Sequence, residues 1–301
     1  MKKGKWTAEN IPSQKGKVAI VTGSSSGIGL EASRVLANKG AEVIVAIRNK
    51  DKGDKAIQKI KNQYPEANVS LMLLDLADLK SIEQFANHFK QKYAKLDLLI
   101  NNAGVMMPPY GKTIDGFELQ FGTNHLGHFA LTGQLMELIK NTPNSRIVNI
   151  SSGAHNYGNI DFNDLNWENR PYKAMRSYCD SKIANLYFTH ELQNKLNKDG
   201  FNTIVSAAHP GWTATKLQRH SGLFSFLSNF LAMPIEQGTL STLRAATDGQ
   251  IKSGDYYGPD GMREMRGYPV KVQSNDLSHD KEIAKKLWAV SEELTGVSYN
   301  L

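Results

Sequence analysis

Short apolar runs alternate with longer amphipathic stretches along most of the chain. Val18-Ala19-Ile20-Val21 and Leu98-Leu99-Ile100 are continuously hydrophobic, which is typical of parallel strands covered on both faces. The stretches between such runs carry apolar residues at helical spacing. The pattern predicts strands over 18–21, 42–47, 69–73, 96–101, 146–151 and 203–208, and helices over 28–38, 50–62, 79–93, 114–140, 178–197 and 234–247.

Repeated strand–helix–strand units predict an α/β fold with one doubly wound parallel sheet of the Rossmann type, flanked by helices. No change in composition marks a linker, so we expect a single domain over residues 1–301. Two segments interrupt the alternation: 153–175 is polar and aromatic, and 212–233 is apolar and rich in Ser. Both follow strand ends, where ligand-binding loops of open sheets lie. We expect them to be substrate loops.

Composition narrows the class of partner. The 36 basic and 29 acidic residues give a net charge of +7, but the basic residues are spread along the chain, so nucleic-acid binding is not expected. No apolar run is long enough for an integral membrane segment, and the basic N-terminus lacks the apolar core of a secretory signal. Cys179 is the single cysteine, and no paired-His motif occurs, so no metal site is expected. We expect a cytoplasmic protein with a small-molecule substrate.

A glycine-rich turn joins the first predicted strand to a helix. Gly23, Gly27 and Gly29 let the backbone approach an anion closely, and the helix N-terminus offers free N–H groups to a pyrophosphate. The spacing is neither GxGxxG nor a P-loop. Residues 23–27 also match GxSxG, the nucleophile elbow of serine hydrolases, with Ser25 as nucleophile. No oxyanion-loop segment precedes this turn, so phosphate binding is favoured.

The second predicted strand ends at Arg48-Asn49-Lys50. In dinucleotide-binding folds an acidic residue near this point favours NAD, whereas an Arg accommodates the 2′-phosphate of NADP. Arg48 can act as a planar donor fork, with Lys50 beside it. The alternative is an ordinary solvated arginine at a strand end. The sequence favours NADP(H) as cofactor over NAD(H).

Tyr178 and Lys182 stand four residues apart in a helix that Tyr178 is predicted to open. At this spacing the two side chains share one helix face. A free tyrosine has a pKa near 10, and a neighbouring ammonium lowers that pKa toward the range of a general acid–base. With eleven tyrosines in the chain, about one such pair is expected by chance. The surrounding motifs therefore decide its meaning.

Three further motifs supply that context. Ser152 follows a buried strand, where its hydroxyl can hold a substrate carbonyl oxygen or cap a turn. Asn124 lies inside a predicted helix, a poor place for Asn, which indicates a hydrogen bond to backbone or water. Asn101-Asn102-Ala103-Gly104 follows the fourth strand, and its small residues let the chain pass close under a cofactor. We expect the neighbouring histidines to pack or lie in loops rather than perform the chemistry: His125, His128, His155 and His209.

As a set, these motifs resemble the short-chain dehydrogenases/reductases over roughly residues 15–260. The resemblance implies a Rossmann-fold enzyme that transfers a hydride between a nicotinamide cofactor and a carbonyl or alcohol carbon, with an Asn-Ser-Tyr-Lys tetrad. The motifs occur in the family's order: Thr22-Gly23-(x3)-Gly27-Ile28-Gly29, Asn101-Asn102-Ala103-Gly104, Asn124, Ser152, Tyr178-(x3)-Lys182 and His209-Pro210-Gly211.

The resemblance also implies roles. Tyr178 donates or accepts the proton, Ser152 holds the substrate oxygen, Lys182 binds the nicotinamide ribose and lowers the tyrosine pKa, and Asn124 anchors a water. The implied cofactor contacts are Gly23, Ser25, Ser26, Gly27, Ile28, Gly29, Arg48, Asn49, Asp75, Leu76, Asn102, Ala103, Gly104, Tyr178, Lys182, Pro210, Gly211, Trp212 and Thr213.

Within the family the chain is similar to the retinol-dehydrogenase-like branch, which includes relatives of protochlorophyllide reductase. The gap of 26 positions from Ser152 to Tyr178 is longer than in the simplest members, so residues 153–175 are expected to shape the substrate entrance. We expect no membrane anchor like that of many animal members, and the tail of the chain resembles that of soluble bacterial relatives. The resemblance therefore implies no particular substrate, and retinoid activity is not inferred.

Loop residues suggest a moderately large, apolar substrate, with core packing as the alternative for each. The candidates for substrate contact are Ser152, Met106, Met107, His155, Trp212, Leu217, Leu223 and Phe224. A non-catalytic NADP-binding sensor on the same fold is the second hypothesis, although such proteins usually lose the tyrosine or the lysine. The family often pairs through the helices after Ile114 and Tyr178, so a homodimer or homotetramer is possible.

Overall fold

A computed structural model of the 301-residue chain describes residues 5–213 and 232–301. Within these ranges one sheet has eight strands in the order β3-β2-β1-β4-β5-β6-β7-β8. All neighbouring strands are parallel except β7 and β8, which form an antiparallel pair. The strands are β1 (Val18–Thr22), β2 (Glu42–Ile47), β3 (Val69–Leu73), β4 (Leu98–Asn101), β5 (Arg146–Ile150), β6 (Ile204–Ala208), β7 (Tyr256–Gly261) and β8 (Arg266–Val272).

Helices cover both faces of the sheet. A short helical turn, α4, runs through a π-helical segment, Gly122–Leu126, into α5. Short 3-10 helices lie at Ala8–Asn10, Gly153–Tyr157 and Asp276–His279. The helices are α1 (Gly27–Asn38), α2 (Lys50–Gln63), α3 (Leu79–Lys92), α4 (Leu119–Phe121), α5 (Gly127–Asn141), α6 (Ala174–Lys198), α7 (Ile235–Thr247) and α8 (Lys281–Thr295).

Each central strand is buried on both faces because its alternate residues point to opposite sides. Ile20 and Leu99 join the core beneath α3, α5 and α6, which includes Phe129 and Phe188. Their neighbours Ala19, Val21, Leu98 and Ile100 join the core beneath α1 and α7. The continuous apolar runs of the sequence therefore supply two cores from a single sheet.

β1 and β4 are hydrogen-bonded neighbours in the sheet. From β1 the strand order proceeds to one side through β2 and β3, and from β4 it proceeds to the other side through β5 and β6. Such a switch point leaves a crevice outside the carboxyl ends of the strands, where ligands of open α/β sheets bind. Thr22, Asn101, Ile150 and Ala208 end the four strands around it. The predicted site residues cluster in the loops that follow these ends.

The predicted α/β fold class is confirmed, and the six predicted strands all occur. Two helix predictions were wrong. The helix predicted over 114–140 begins only at Leu119, because Thr113 and Phe117 close a turn around Gly116, whose φ is +91°. Tyr178 does not open its helix: α6 begins at Ala174, which places Tyr178 in the second turn.

Three elements were not predicted: β7, β8 and α8. Both strands contain Gly and Pro, which usually indicate turns, but β8 lies at the sheet edge, where Pro is tolerated, and Pro259 is in register with Pro269. α8 did carry a signal, since the Asp280 carboxylate caps its first turn and Gly296 ends it at φ +65°. Trp288 of α8 packs on α5 and α6.

Across residues 5–213 and 232–301, no helix combines the length and apolar character that crossing a bilayer requires. The predicted substrate loop 153–175 is a 3-10 helix followed by turns that lead into α6. Most of the second predicted loop, 212–233, lies outside the described residues, and so do the candidate contacts Leu217, Leu223 and Phe224.

Candidate active site

The glycine loop lies between β1 and α1 and is shaped by close backbone contacts. Gly23 and Gly27 have φ of +67° and +58°. A Cβ on Gly23 would lie 2.7 Å from Ala103 Cα, and one on Gly29 would lie 2.5 Å from Asn102 Nδ2. The N-cap residue Ser26 makes no side-chain capping bond, so the first N–H groups of α1 are left for another acceptor.

Thr22 joins this loop to the segment that follows β4. Its Oγ1 accepts hydrogen bonds from the backbone N–H groups of Asn102 and Ala103, both at 2.9 Å. His128 Nε2 lies 2.9 Å from the same hydroxyl, while His128 Nδ1 donates to the carbonyl of Asn124 at 3.0 Å. Burial lowers the pKa of His128 to about 4, so the ring is neutral and links two parts of the site. The hydrolase alternative at Ser25 gains no support from this arrangement.

Arg48 and Asn49 lie at the exposed end of β2. Asn49 caps α2 by accepting a hydrogen bond from Lys52 N at 2.9 Å. The Lys50 ammonium is paired with Asp54 at 2.7 Å, which reduces its availability to a ligand. Of the two cations considered for a 2′-phosphate, Arg48 is therefore the stronger candidate.

Asp75 and Leu76 follow β3 on the same edge of the sheet. Asp75 Oδ1 accepts from Ala77 N at 3.0 Å, and its backbone N–H donates to Ser81 Oγ at 3.0 Å. Leu76 is buried and contacts the start of α5 so closely that a Cβ on Gly127 would collide with its backbone. These bonds fix the turn whose residues the resemblance implies as cofactor contacts.

Tyr178 and Lys182 lie on one face of α6, as their spacing predicts. Lys182 Nζ is 5.5 Å from the centre of the Tyr178 ring and donates to the carbonyl of Ile150 at 3.1 Å. Both side chains are buried, at 5% and 4% exposure. A Cβ on Gly104 would lie 3.7 Å from Lys182 Nζ, so this ammonium faces the glycine that follows β4.

Burial is the largest influence on the pKa of the Tyr178 phenol, and the lowering of this pKa by Lys182 stays a prediction. Burial raises the pKa of Tyr178 to about 12, and the side chain of Ser152 opposes that shift. Burial also lowers the pKa of Lys182 to about 8. For both groups, burial disfavours the charged form.

Asn124 occupies the π-helical segment before α5. Its Oδ1 accepts from Val105 N at 2.8 Å, and its Nδ2 donates to Val105 O at 3.0 Å and to Ser181 Oγ at 3.0 Å. Ser181 in turn donates to the carbonyl of Tyr178 at 2.8 Å. The interior Asn therefore makes the backbone bonds expected of it, and it connects the segment after β4 to α6.

Ser152 begins the 3-10 helix Gly153–Tyr157, and its Oγ accepts from Ala154 N at 3.2 Å. The capping interpretation and a role beside Tyr178 are thus both compatible with its position. His155, which was expected to touch substrate, is 2% exposed, and its two ring nitrogens contact Ser152 O and Asn275 N. The geometry favours a supporting position for this ring over direct substrate contact.

The segment after β6 is held by the turn between β7 and β8. Gly211 has a φ of +63°, and a Cβ there would lie 2.6 Å from the carbonyl of Met265. Trp212 N donates to the same carbonyl at 2.9 Å. Thr213 Oγ1 donates to Pro210 O at 2.7 Å. The predicted cofactor contacts 210–213 therefore have a rigid backbone.

Met106 and Met107 follow Gly104 and are partly exposed. Met107 has a φ of +49°, and its N–H donates to Gln120 Oε1 at 2.8 Å. This places both methionines on the loop that leads away from the Tyr178–Lys182 pair, a position compatible with the predicted substrate contact.

Sequence reasoning missed the residues that hold the site together. Ser151 Oγ donates to Lys182 O at 2.9 Å, and Asn185 Nδ2 donates to Ile150 O at 3.0 Å. His209 contacts Glu264 Oε2 at 3.0 Å. Ser181 and Asn185 were visible in the sequence beside Lys182, but only the fold shows what they contact.

Comparisons with known proteins agree with this arrangement. The family model described as short chain dehydrogenase matches residues 17–223. Human retinol dehydrogenase 13 is 40% identical over 94% of this chain and 85% of its own length, and human retinol dehydrogenase 11 is 42% identical over 94% and 86%. An uncharacterised protein from Mycobacterium paratuberculosis has a crystal structure that superposes with a TM-score of 0.85, at 38% identity, covering 99% of this chain and 100% of that one.

The matched residues contain the glycine loop, the Asn101–Gly104 segment and the Tyr178–Lys182 pair. The retinol dehydrogenases match far beyond these motifs, over most of both chains. The chain is an oxidoreductase, and it belongs to the short-chain dehydrogenase family, in its retinol-dehydrogenase-like branch.

Proposed function

We propose that this protein is an NADP(H)-dependent oxidoreductase that interconverts a carbonyl and an alcohol on a moderately apolar small molecule. The observation that carries the proposal is the buried Tyr178–Lys182 pair, joined through Ser181 to Asn124 at the carboxyl edge of the sheet. A buried phenol and ammonium side by side in a ligand crevice suit proton transfer better than packing.

The residues around the switch point fit a dinucleotide. The glycine loop has no room for a Cβ at Gly23 or Gly29, and the uncapped N-terminus of α1 suits a pyrophosphate. Exposed Arg48, with no carboxylate beside it until Asp51, suits a 2′-phosphate and favours NADP(H). A bound nicotinamide would supply or accept the hydride.

In this proposal Lys182 holds a ribose hydroxyl. An ammonium has three donors, and one of them is used on the Ile150 carbonyl. Asn124 and Ser181 fix the segment at Gly104 and the backbone of Tyr178, so that the ammonium and the phenol keep their separation.

Tyr178 is the proposed acid and base. Because burial raises its pKa to about 12, the phenol keeps its proton near neutral pH and can donate it to a substrate oxygen during carbonyl reduction. Ser152 stabilises the oxyanion character of that oxygen and, in the reverse direction, helps the phenol release its proton.

The test is turnover by a Tyr178→Phe variant. It should keep NADPH binding, measured by fluorescence titration, and lose activity by roughly 10²–10⁴-fold, scored as NADPH consumption over a panel of aldehydes, ketones and quinones. Tyr187→Phe, on the same helix and equally buried, is the matched control and should keep full activity.

Retained turnover in Tyr178→Phe would defeat the mechanism. Tight NADPH binding by the wild type with no turnover on any substrate would favour the sensor hypothesis instead. Running NADH beside NADPH tests the cofactor preference in the same experiment.

A further inference from the structure

The ring of His155 joins the backbone of Ser152 to the segment that follows β8. Its Nδ1 lies 2.7 Å from the carbonyl oxygen of Ser152, which can only accept, so Nδ1 carries the hydrogen. The backbone N–H of Asn275 points at Nε2 from 3.3 Å, so Nε2 is the acceptor. Both nitrogens are therefore used, and the ring has one tautomer.

The surroundings hold this ring in place. It is 2% exposed and meets the ring of Tyr256 edge-on, with centroids 5.6 Å apart and planes at 84°. Burial lowers the pKa of His155, so the ring stays neutral. The charged or titratable groups that act on it are His209, from the end of β6, and Glu264, from the turn before β8.

Ser152 needs such support. It starts a 3-10 helix of five residues, and a helix that short has little stability of its own. Its hydroxyl, however, must keep one direction, because the Ser152 side chain opposes the raised pKa of the Tyr178 phenol. Within this helix the Ser152 carbonyl accepts from the backbone N–H of His155 at 2.9 Å, and it also accepts from the His155 ring, which Asn275 holds from outside the helix.

We propose that His155 is a positioning residue for Ser152, and that its Nδ1–H bond to the Ser152 carbonyl directs the Ser152 hydroxyl toward Tyr178 and the substrate oxygen. The contact with Asn275 only holds the ring. This inference rests on the function proposed above, and it removes His155 from the substrate contacts.

Two substitutions separate the two contacts. His155→Asn keeps a donor near the Nδ1 position and loses the acceptor for Asn275, whereas His155→Gln keeps an acceptor near the Nε2 position and loses the donor. His155→Leu loses both. We expect His155→Asn to keep kcat within about threefold. The Gln and Leu variants should lose roughly 10–100-fold in kcat, which is the effect of losing one hydrogen bond to a group that becomes charged. KM for NADPH should stay unchanged in all three.

The pH profile is the readout that a purely structural role would not move. In the alcohol-oxidation direction the rate rises with pH as Tyr178 loses its proton. The Ser152 side chain lowers the pKa of Tyr178. The apparent pKa of the rate profile should therefore rise in the Gln and Leu variants and stay near the wild-type value in His155→Asn. His190→Leu, which removes a half-buried neutral histidine, is the control and should change neither quantity.

An unchanged kcat and pH profile in His155→Leu would overturn the proposal. So would equal losses in the Asn and Gln variants that track a fall in melting temperature, because that pattern marks simple destabilisation. If the Leu variant fails to fold, the Asn and Gln pair decides alone. Absence of turnover in the wild type would instead defeat the proposed function, and this inference with it.

Discussion

The glycine-loop region and the tyrosine region both lie at the carboxyl edge of the sheet, but they differ in the groups that line them. The glycine-loop region, residues 22–29 with Arg48, is built of backbone, small residues and an exposed cation. The tyrosine region, Asn124, Ser152, Tyr178 and Lys182, is built of side chains that are mostly buried and are bonded to a neighbouring serine or to backbone.

The two regions therefore respond to substitution in different ways. In the glycine-loop region, Gly23 and Gly29 have no room for a Cβ, so a substitution at either acts through shape and through binding. In the tyrosine region the groups are already costly to bury, so a substitution acts through chemistry and can leave the fold intact or even stabilise it.

The largest effect is expected for Lys182→Met. Loss of the ammonium should lower kcat/KM by roughly 10²–10⁴-fold, while the melting temperature stays level or rises, because a buried charge is replaced by an apolar chain of similar length. Steady-state kinetics and thermal melts measure the two. Lys198→Met, at the exposed end of the same helix, serves as control, and a large fall in melting temperature for Lys182→Met would contradict the contrast.

Gly23→Ala should instead act through stability and cofactor affinity. The left-handed φ costs about 1–2 kcal/mol, and a Cβ 2.7 Å from the Ala103 backbone adds about 1–3 kcal/mol of overpacking. Gly16→Ala is a matched control, since its φ is +79° but nothing lies within 4 Å of its Cβ position. Chemical denaturation of both variants isolates the contact, and equal losses would show that φ alone matters.

Arg48→Ala should weaken NADPH binding by about 10–100-fold, the range of one charge-assisted hydrogen-bonding group, and leave NADH binding unchanged. Lys50→Ala should have a smaller effect, because that ammonium is already paired with Asp54. Fluorescence titration with both nucleotides gives the comparison. A parallel loss for NADH would mean that Arg48 does not recognise the 2′-phosphate.

The smallest effect is a dependence of stability on pH. The pKa of Lys182 is about 8 in the folded protein, below its usual value of 10.5, so between these values the unfolded chain binds more protons. Stability from this group therefore rises as pH increases from 8 to 10, by on the order of 2 kcal/mol. Comparing denaturation of wild type and Lys182→Met at the two pH values isolates the contribution, and identical slopes would refute the shift.

The sequence predicted the parts of the molecule that depend on local pattern. Continuous apolar runs such as 18–21 located the strands, and the spacing of Tyr178 and Lys182 located their shared helix face. The sequence could not show that both ring nitrogens of His155 are hydrogen-bonded within the protein, because one of the two partners is Asn275, 120 residues away.

Two features depend on the folded surroundings rather than on the local sequence. The raised pKa of Tyr178 follows from burial, which no local spacing reveals. Strand β8 was not predicted because Gly and Pro usually indicate turns. Its position at the edge of the sheet allows both residues within a strand.

The π-helical segment Gly122–Leu126 makes the site sensitive to chain length as well as to residue type. Gly127 N–H bonds back to the carbonyl of Gly122, one position farther than in an α-helix, so the segment holds one additional residue within a turn. Removing that residue would restore regular winding and swing the preceding side chains around the axis by about 100°. A single-codon deletion here would leave a better helix and turn Asn124 away from Val105 and Ser181.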